Sequence, residues 1–103
     1  MTDATQIVAH WTFLTNHAPV LLCIAKNPGF RLRDIADVVG ITERAVHRIV
    51  TDLTDAGFLD VKREGRCNVY VMHPEKNLRH PIEAHRQVAD LIRLIEVSPR
   101  PAT

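Results

Sequence analysis

The sequence predicts a mainly α-helical fold carrying one small β-hairpin, with elements in the order α-α-α-α-β-β-α. Three observations carry this expectation. Apolar residues recur at helical spacing through most of the 103-residue chain. In "RDIADVVGITERAVHRIVTDLTDAGFL", residues 33 to 59, a glycine interrupts one helical pattern and a second begins at once. Two runs of alternating character then flank "REGR".

Each element has its own signal. Ile7, Val8, Trp11 and Leu14 stand at i, i+1, i+4 and i+7, which predicts a short amphipathic helix near the start. The next helix is expected after "TN", with Asn16 as N-cap and Pro19 tolerated in the first turn. It turns Val20, Leu21, Ile24 and Ala25 inward and stops at "NPG", residues 27 to 29. "FRL" is short enough for one extended pairing segment. A third helix, about 33 to 39, buries Ile35, Ala36 and Val39. Gly40 ends it, because glycine alone takes the left-handed conformation without steric cost.

Thr42 then caps a fourth helix, 42 to 56, with Val46, Ile49, Val50 and Leu53 as its inward stripe. Gly57 stops it. "FLDVK" and "CNVYVM" are expected to pair as a hairpin over about 58 to 72, with glycine in the turn. Pro81 suits the first position of a last helix, about 81 to 97. Residues 1 to 97 are expected to form a single domain, and the tail "SPRPAT", 98 to 103, to be disordered.

At about 100° per residue, Arg44, Arg48, Thr51 and Asp55 fall opposite the apolar stripe of the fourth helix, with His47 on its flank. Two arginines therefore stand exposed in the first half of this helix, and the acid Asp55 lies near its far end. Taken alone, such a face is an ordinary solvated surface. Guanidinium groups at the start of an exposed helix also suit DNA, since arginine grips guanine O6 and N7 with two donors or takes a phosphate. Glu43 can accept from a cytosine amino group or favour the positive end of the helix dipole.

The spacing of Ala36, Gly40, Val46 and Ile49 resembles the helix-turn-helix motif. There a small residue lets two helices cross closely, a glycine makes the turn, and two aliphatics lock the second helix. The continuation "DLTDAGFLDVKREGRCNVYVM" resembles the recognition helix end and wing of winged helix-turn-helix regulators of the MarR and ArsR type. The likeness is close over about residues 16 to 73, and the flanking helices follow the ArsR-type order more loosely. It implies a sequence-specific, dimeric transcriptional repressor whose partner is double-stranded DNA. The helix-turn-helix would span about 33 to 56, and the candidate contacts on its second helix are Thr42, Glu43, Arg44, His47, Arg48 and Thr51. A winged helix serving as a protein-interaction module is the alternative; it would not need both a basic helix and a basic wing.

The wing candidates are Lys62, Arg63 and Arg66, set against the single acid Glu64. A slender basic hairpin can follow phosphates or insert an arginine into a narrow minor groove, and Arg66 is the expected minor-groove contact. This local patch reconciles a net charge of only +1 with a polyanionic partner.

Ile82, Ala84, Val88, Ala89, Leu91, Ile92, Leu94, Ile95 and Val97 make an apolar arc wider than a single stripe. One side is expected to cover the chain's own wing and helices, the other to meet a second copy. The expected homodimer interface is Trp11, Val88, Leu91, Ile92, Leu94 and Ile95, which would set two recognition helices one duplex turn apart.

Other chemistries find little support. ArsR-type regulators often sense metals, but "RDIADVV" lacks that family's cysteines, and His80 and His85 stand five apart, on different helix faces. No metal or cofactor is expected. Cys67 beside Arg66 is a candidate redox sensor, because a neighbouring cation favours the thiolate; a plain strand residue is the alternative. Cys23 sits on an apolar face as core. No Gly-rich phosphate loop or nucleophile–base pair is visible, so no enzyme is expected. The longest apolar run, 20 to 25, falls far below the ~18 residues of a membrane span. The start "MTDATQ" lacks a basic segment, and the expected compartment is the cytoplasm. The sequence names no small-molecule effector.

Overall fold

The computed structural model describes residues 12–96. Over that range the order is α1 (His17–Lys26), α2 (Leu32–Val39), α3 (Glu43–Asp55), β1 (Leu59–Glu64), β2 (Cys67–Met72) and α4 (Val88–Glu96). The mainly helical fold with one hairpin is as expected. The helix expected on Ile7, Val8 and Trp11 lies outside the described residues, as do Val97 and the tail 98–103. Leu14, the last residue of that expected stripe, is instead exposed in a bend that precedes α1.

α1 begins where "TN" places it, although the Asn16 side chain makes no cap hydrogen bond. Its face Val20, Leu21, Cys23 and Ile24 is buried. "FRL" does not form a pairing strand. Asp34 Oδ2 accepts from the Arg31 N–H at 3.1 Å, so the backbone turns straight into α2 at Leu32. Asp34 thus takes the very donor that a strand partner would have needed. What remains of pairing there is one long bond, from the Tyr70 N–H to the Pro28 carbonyl at 3.3 Å.

The bend between α2 and α3 follows the sequence closely. Gly40 has φ 84° and donates its N–H to the Ala36 carbonyl at 2.8 Å. Thr42 is extended, and its Oγ1 accepts from the Ala45 N–H at 3.0 Å. Val46, Ile49, Val50 and Leu53 are all buried, packing α3 onto α1, α2 and β1. Each such side chain contributes about 1.5–3 kcal/mol when fully buried. Gly57, φ 86°, then reverses the chain and Phe58 enters the core.

β1 and β2 pair antiparallel from Leu59↔Met72 to Glu64↔Cys67, leaving a two-residue turn of Gly65 and Arg66. Gly65 has φ 63°, as a type II′ turn requires at its first central position. At the hairpin base His73 Nε2 meets Asp60 Oδ2 at 2.8 Å, tying the chain after β2 back to β1.

The last helix corrects the expectation of 81 to 97. Residues 81–87 form turns, and α4 starts at Val88. The Leu78 N–H donates to the Arg86 carbonyl and the Val88 N–H to the Lys76 carbonyl, both at 2.8 Å, around the bridge Asn77↔Gln87. Arg86 O is therefore engaged sideways, not along a helix. Asp90 Oδ2 then accepts from the Gln87 N–H at 2.9 Å and fixes the helix start. That bond holds the Asp90 carboxyl below its ordinary range, with Arg86 and Arg93 adding to it.

Candidate nucleic-acid interface

With its stripe buried, α3 presents the other side to solvent. Thr42, Glu43, Arg44, His47, Arg48 and Thr51 are all exposed. Among the described residues, Arg44 and Arg48 have no hydrogen-bond or ion-pair partner. Two polar groups are partly occupied. Thr42 Oγ1 serves the cap, and the Thr51 hydroxyl donates to the His47 carbonyl at 2.9 Å. Thr51 thus offers lone pairs and a methyl group outward, not a proton.

Asp52 follows Arg48 by four residues, within reach by helical spacing. It turns the other way, and its Oδ2 lies 2.9 Å from His17 Nε2 on α1. Sequence reading missed this pair, because its members lie 35 residues apart. The acid one helical turn beyond Arg48 is engaged elsewhere.

The hairpin divides its candidates. Alternation puts Val61, Arg63, Asn68 and Tyr70 on one face, and Lys62, Glu64, Cys67 and Val69 on the other. Tyr70 is buried, and Val61, Asn68 and Tyr70 line a crevice of about 240 Å³ against α3, so the first face is the one turned to that helix. Arg63 makes a long bond from Nε to the Gly65 carbonyl, 3.5 Å. Arg66 sits at the exposed tip. Sequence reading had not singled out Asn68; strand alternation was the signal that marks it.

A larger groove of about 850 Å³ opens between α1, the end of α3 and the segment 78–91. Leu21, Leu53, Phe58, Val88 and Leu91 supply its apolar lining, and His17, Asp52, Arg79, His80 and Glu83 its polar lining. Val88, expected at a dimer contact, is 2% exposed and belongs to the chain's own core. Ile92 packs against that core, whereas Leu94 and Ile95 stay exposed at 71% and 48%. Trp11 lies outside the described residues.

The cysteines differ. Cys23 is buried, and burial, followed by the charge of Asp34, pushes its thiol up. Cys67 is exposed on the hairpin. Among the described residues no three His, Cys, Asp or Glu side chains converge as a metal site. No described helix is long and apolar enough to cross a membrane.

Comparison with known proteins bears on the same segment. No curated protein matches the chain. Among solved structures it is similar to the PcaV transcriptional regulator from Streptomyces coelicolor, determined in complex with its natural ligand. The TM-score is 0.54 at 21% identity, covering 95% of this chain and 70% of that one, a likeness of fold. The model of the MarR family matches residues 12–66, more than half of the chain and the whole run from α1 to the hairpin turn. By that match, on a bend, cap and hairpin built as the sequence requires, the chain belongs to the MarR family of winged-helix transcriptional regulators.

Proposed function

We propose that this protein is a cytoplasmic homodimeric repressor that occupies operator DNA with α3 in the major groove and the wing on the adjoining backbone or minor groove. The observation that carries this reading is the pair Arg44 and Arg48, exposed on α3 with no partner among the described residues. Arginine at the start of a recognition helix is placed to reach base edges or phosphates. Glu43, His47 and Thr51 flank them as further contacts, Thr42 closes the row at the cap, and Lys62, Arg63 and Arg66 supply the wing's charge. Residues 1 to 97 act as one domain.

Dimerisation rests on α4, whose Leu94 and Ile95 are left exposed beside Leu91 and Ile92; Trp11 joins them in this proposal. Leu94→Glu is expected to shift the protein to monomer in sedimentation, while α-helical content stays the same. The sequence names no effector; the 850 Å³ groove, which falls within the size of small-molecule sites and touches both α3 and α4, is the site we propose for one. PcaV, a protein of similar fold, was observed with a natural ligand.

Duplex binding measured at several salt concentrations tests the reading. Counterion release predicts a linear fall of log K with log salt. Arg44→Ala and Arg66→Ala should each weaken binding. Binding indifferent to salt and to both substitutions would favour a protein-interaction module.

A further inference from the structure

We infer that the crevice between α3 and the wing holds the sugar–phosphate strand separating the two DNA grooves, and that Asn68 is the wing residue that binds it. The inference rests on the DNA-binding reading above and adds a contact that neither the motif nor the charge pattern supplies. A helix in the major groove and a hairpin over the neighbouring minor groove must straddle one strand, because that strand is the wall between the grooves. The crevice of about 240 Å³ is the space these two elements leave, with His47, Thr51 and Asp55 on one side and Val61, Asn68 and Tyr70 on the other.

The available donors select the residue. The Thr51 hydrogen is engaged by the His47 carbonyl at 2.9 Å, so this hydroxyl has no proton for a phosphate oxygen. Asp55, one turn beyond Thr51 on the same face, repels phosphate from its end of the crevice and leaves the strand at the His47 end. Leu32, Val50 and Val61 are apolar, the Thr54 hydroxyl donates to the Val50 carbonyl at 2.7 Å, and Tyr70 is buried. That leaves the His47 ring on the helix side and the Asn68 amide on the wing side. Asn68 is exposed, has no hydrogen-bond partner among the described residues, and carries two N–H donors. Arg63, its cross-strand partner on the same face, adds positive charge beside it. The minor groove offers an asparagine little base information, so a backbone contact fits its chemistry better than readout.

The test uses the full chain and a short random-sequence duplex at low salt, compared with a duplex selected for tight binding. Asn68→Ala is expected to weaken both about equally, by roughly tenfold per protomer and so about a hundredfold for the dimer, as each protomer loses one hydrogen bond to a charged oxygen. Asn68→Asp should weaken both further, because a carboxylate then faces phosphate. Replacing phosphates one at a time by neutral methylphosphonate in the selected duplex should reveal one position in each half-site where the wild type loses affinity and Asn68→Ala loses no more. Unchanged thermal unfolding of both variants separates the effect from misfolding. Wild-type affinity in both variants, or a loss confined to the selected sequence, would overturn the inference. Loss of binding in Arg48→Ala alongside wild-type Asn68 variants would leave the DNA reading standing and this inference refuted. No salt-dependent duplex binding by the wild type would refute both.

Discussion

His17 Nε2 and Asp52 Oδ2 lie 2.9 Å apart, joining the start of α1 to the outer side of α3. The contact holds α3 from outside the core, and it draws Asp52 away from Arg48 one turn earlier. Both partners are about half exposed, so the pair contributes only about 0.2–1 kcal/mol to stability. Its larger consequence is electrostatic. His17→Ala releases Asp52 toward Arg48 and should weaken duplex binding with little change in unfolding. Asp52→Ala removes the competing acid, so the double variant should bind no worse than Asp52→Ala alone. A double-mutant cycle on duplex affinity measures this coupling; additive losses would contradict it.

The bend rests on two local devices that can be tested separately. Gly40→Ala places a Cβ on a residue with φ 84°, where the surrounding space is open and the strain is therefore conformational. The expected cost is about 1–2 kcal/mol. Thr42→Ala removes the acceptor for the Ala45 N–H and should cost about 1 kcal/mol. Urea unfolding of both variants gives the values, and Thr42→Ser should recover most of the second loss.

Acid should loosen the start of α4. The Asp90 carboxyl is lowered mainly by the Gln87 N–H that it accepts. A lowered folded-state value means that the stabilisation is complete above the unfolded carboxyl's pKa, about 3.9, and is lost as pH falls through the folded one. Asp90→Asn keeps the shape without the charge, so its stability should fall less across this acid range than that of the wild type. Thermal unfolding against pH shows the difference, and parallel profiles would contradict it.

The legible parts of this fold are those decided within one or two turns of chain. Gly40, Thr42 and the stripe from Val46 to Leu53 interact at i+3 and i+4, so their roles follow from spacing alone. Glu64, Gly65 and Cys67 likewise fix the hairpin. The start of α4 was not legible as Pro81, because a bond from Leu78 to Arg86 engages the carbonyl that a longer helix needs. "QVAD", with its acid three residues after Gln87, was the local mark of the true start. Arg44 and Arg48 were found by their helical face, whereas His17–Asp52 and the large groove join distant segments with no shared period.

The salt dependence of duplex binding by the wild type and by the Arg44→Ala, Arg48→Ala double variant tests most directly whether α3 offers its arginines to DNA. If both guanidiniums meet phosphates, log K should fall steeply with log salt in the wild type. Each protomer of the variant gives up two phosphate contacts and the dimer four, so at roughly 0.9 per contact the variant's slope should be shallower by about 3.6. If one arginine of each protomer reads a base instead, the slope changes by about 1.8 and discrimination between duplex sequences falls with it. An unchanged slope together with unchanged affinity and sequence preference would contradict the claim and move this surface to another partner.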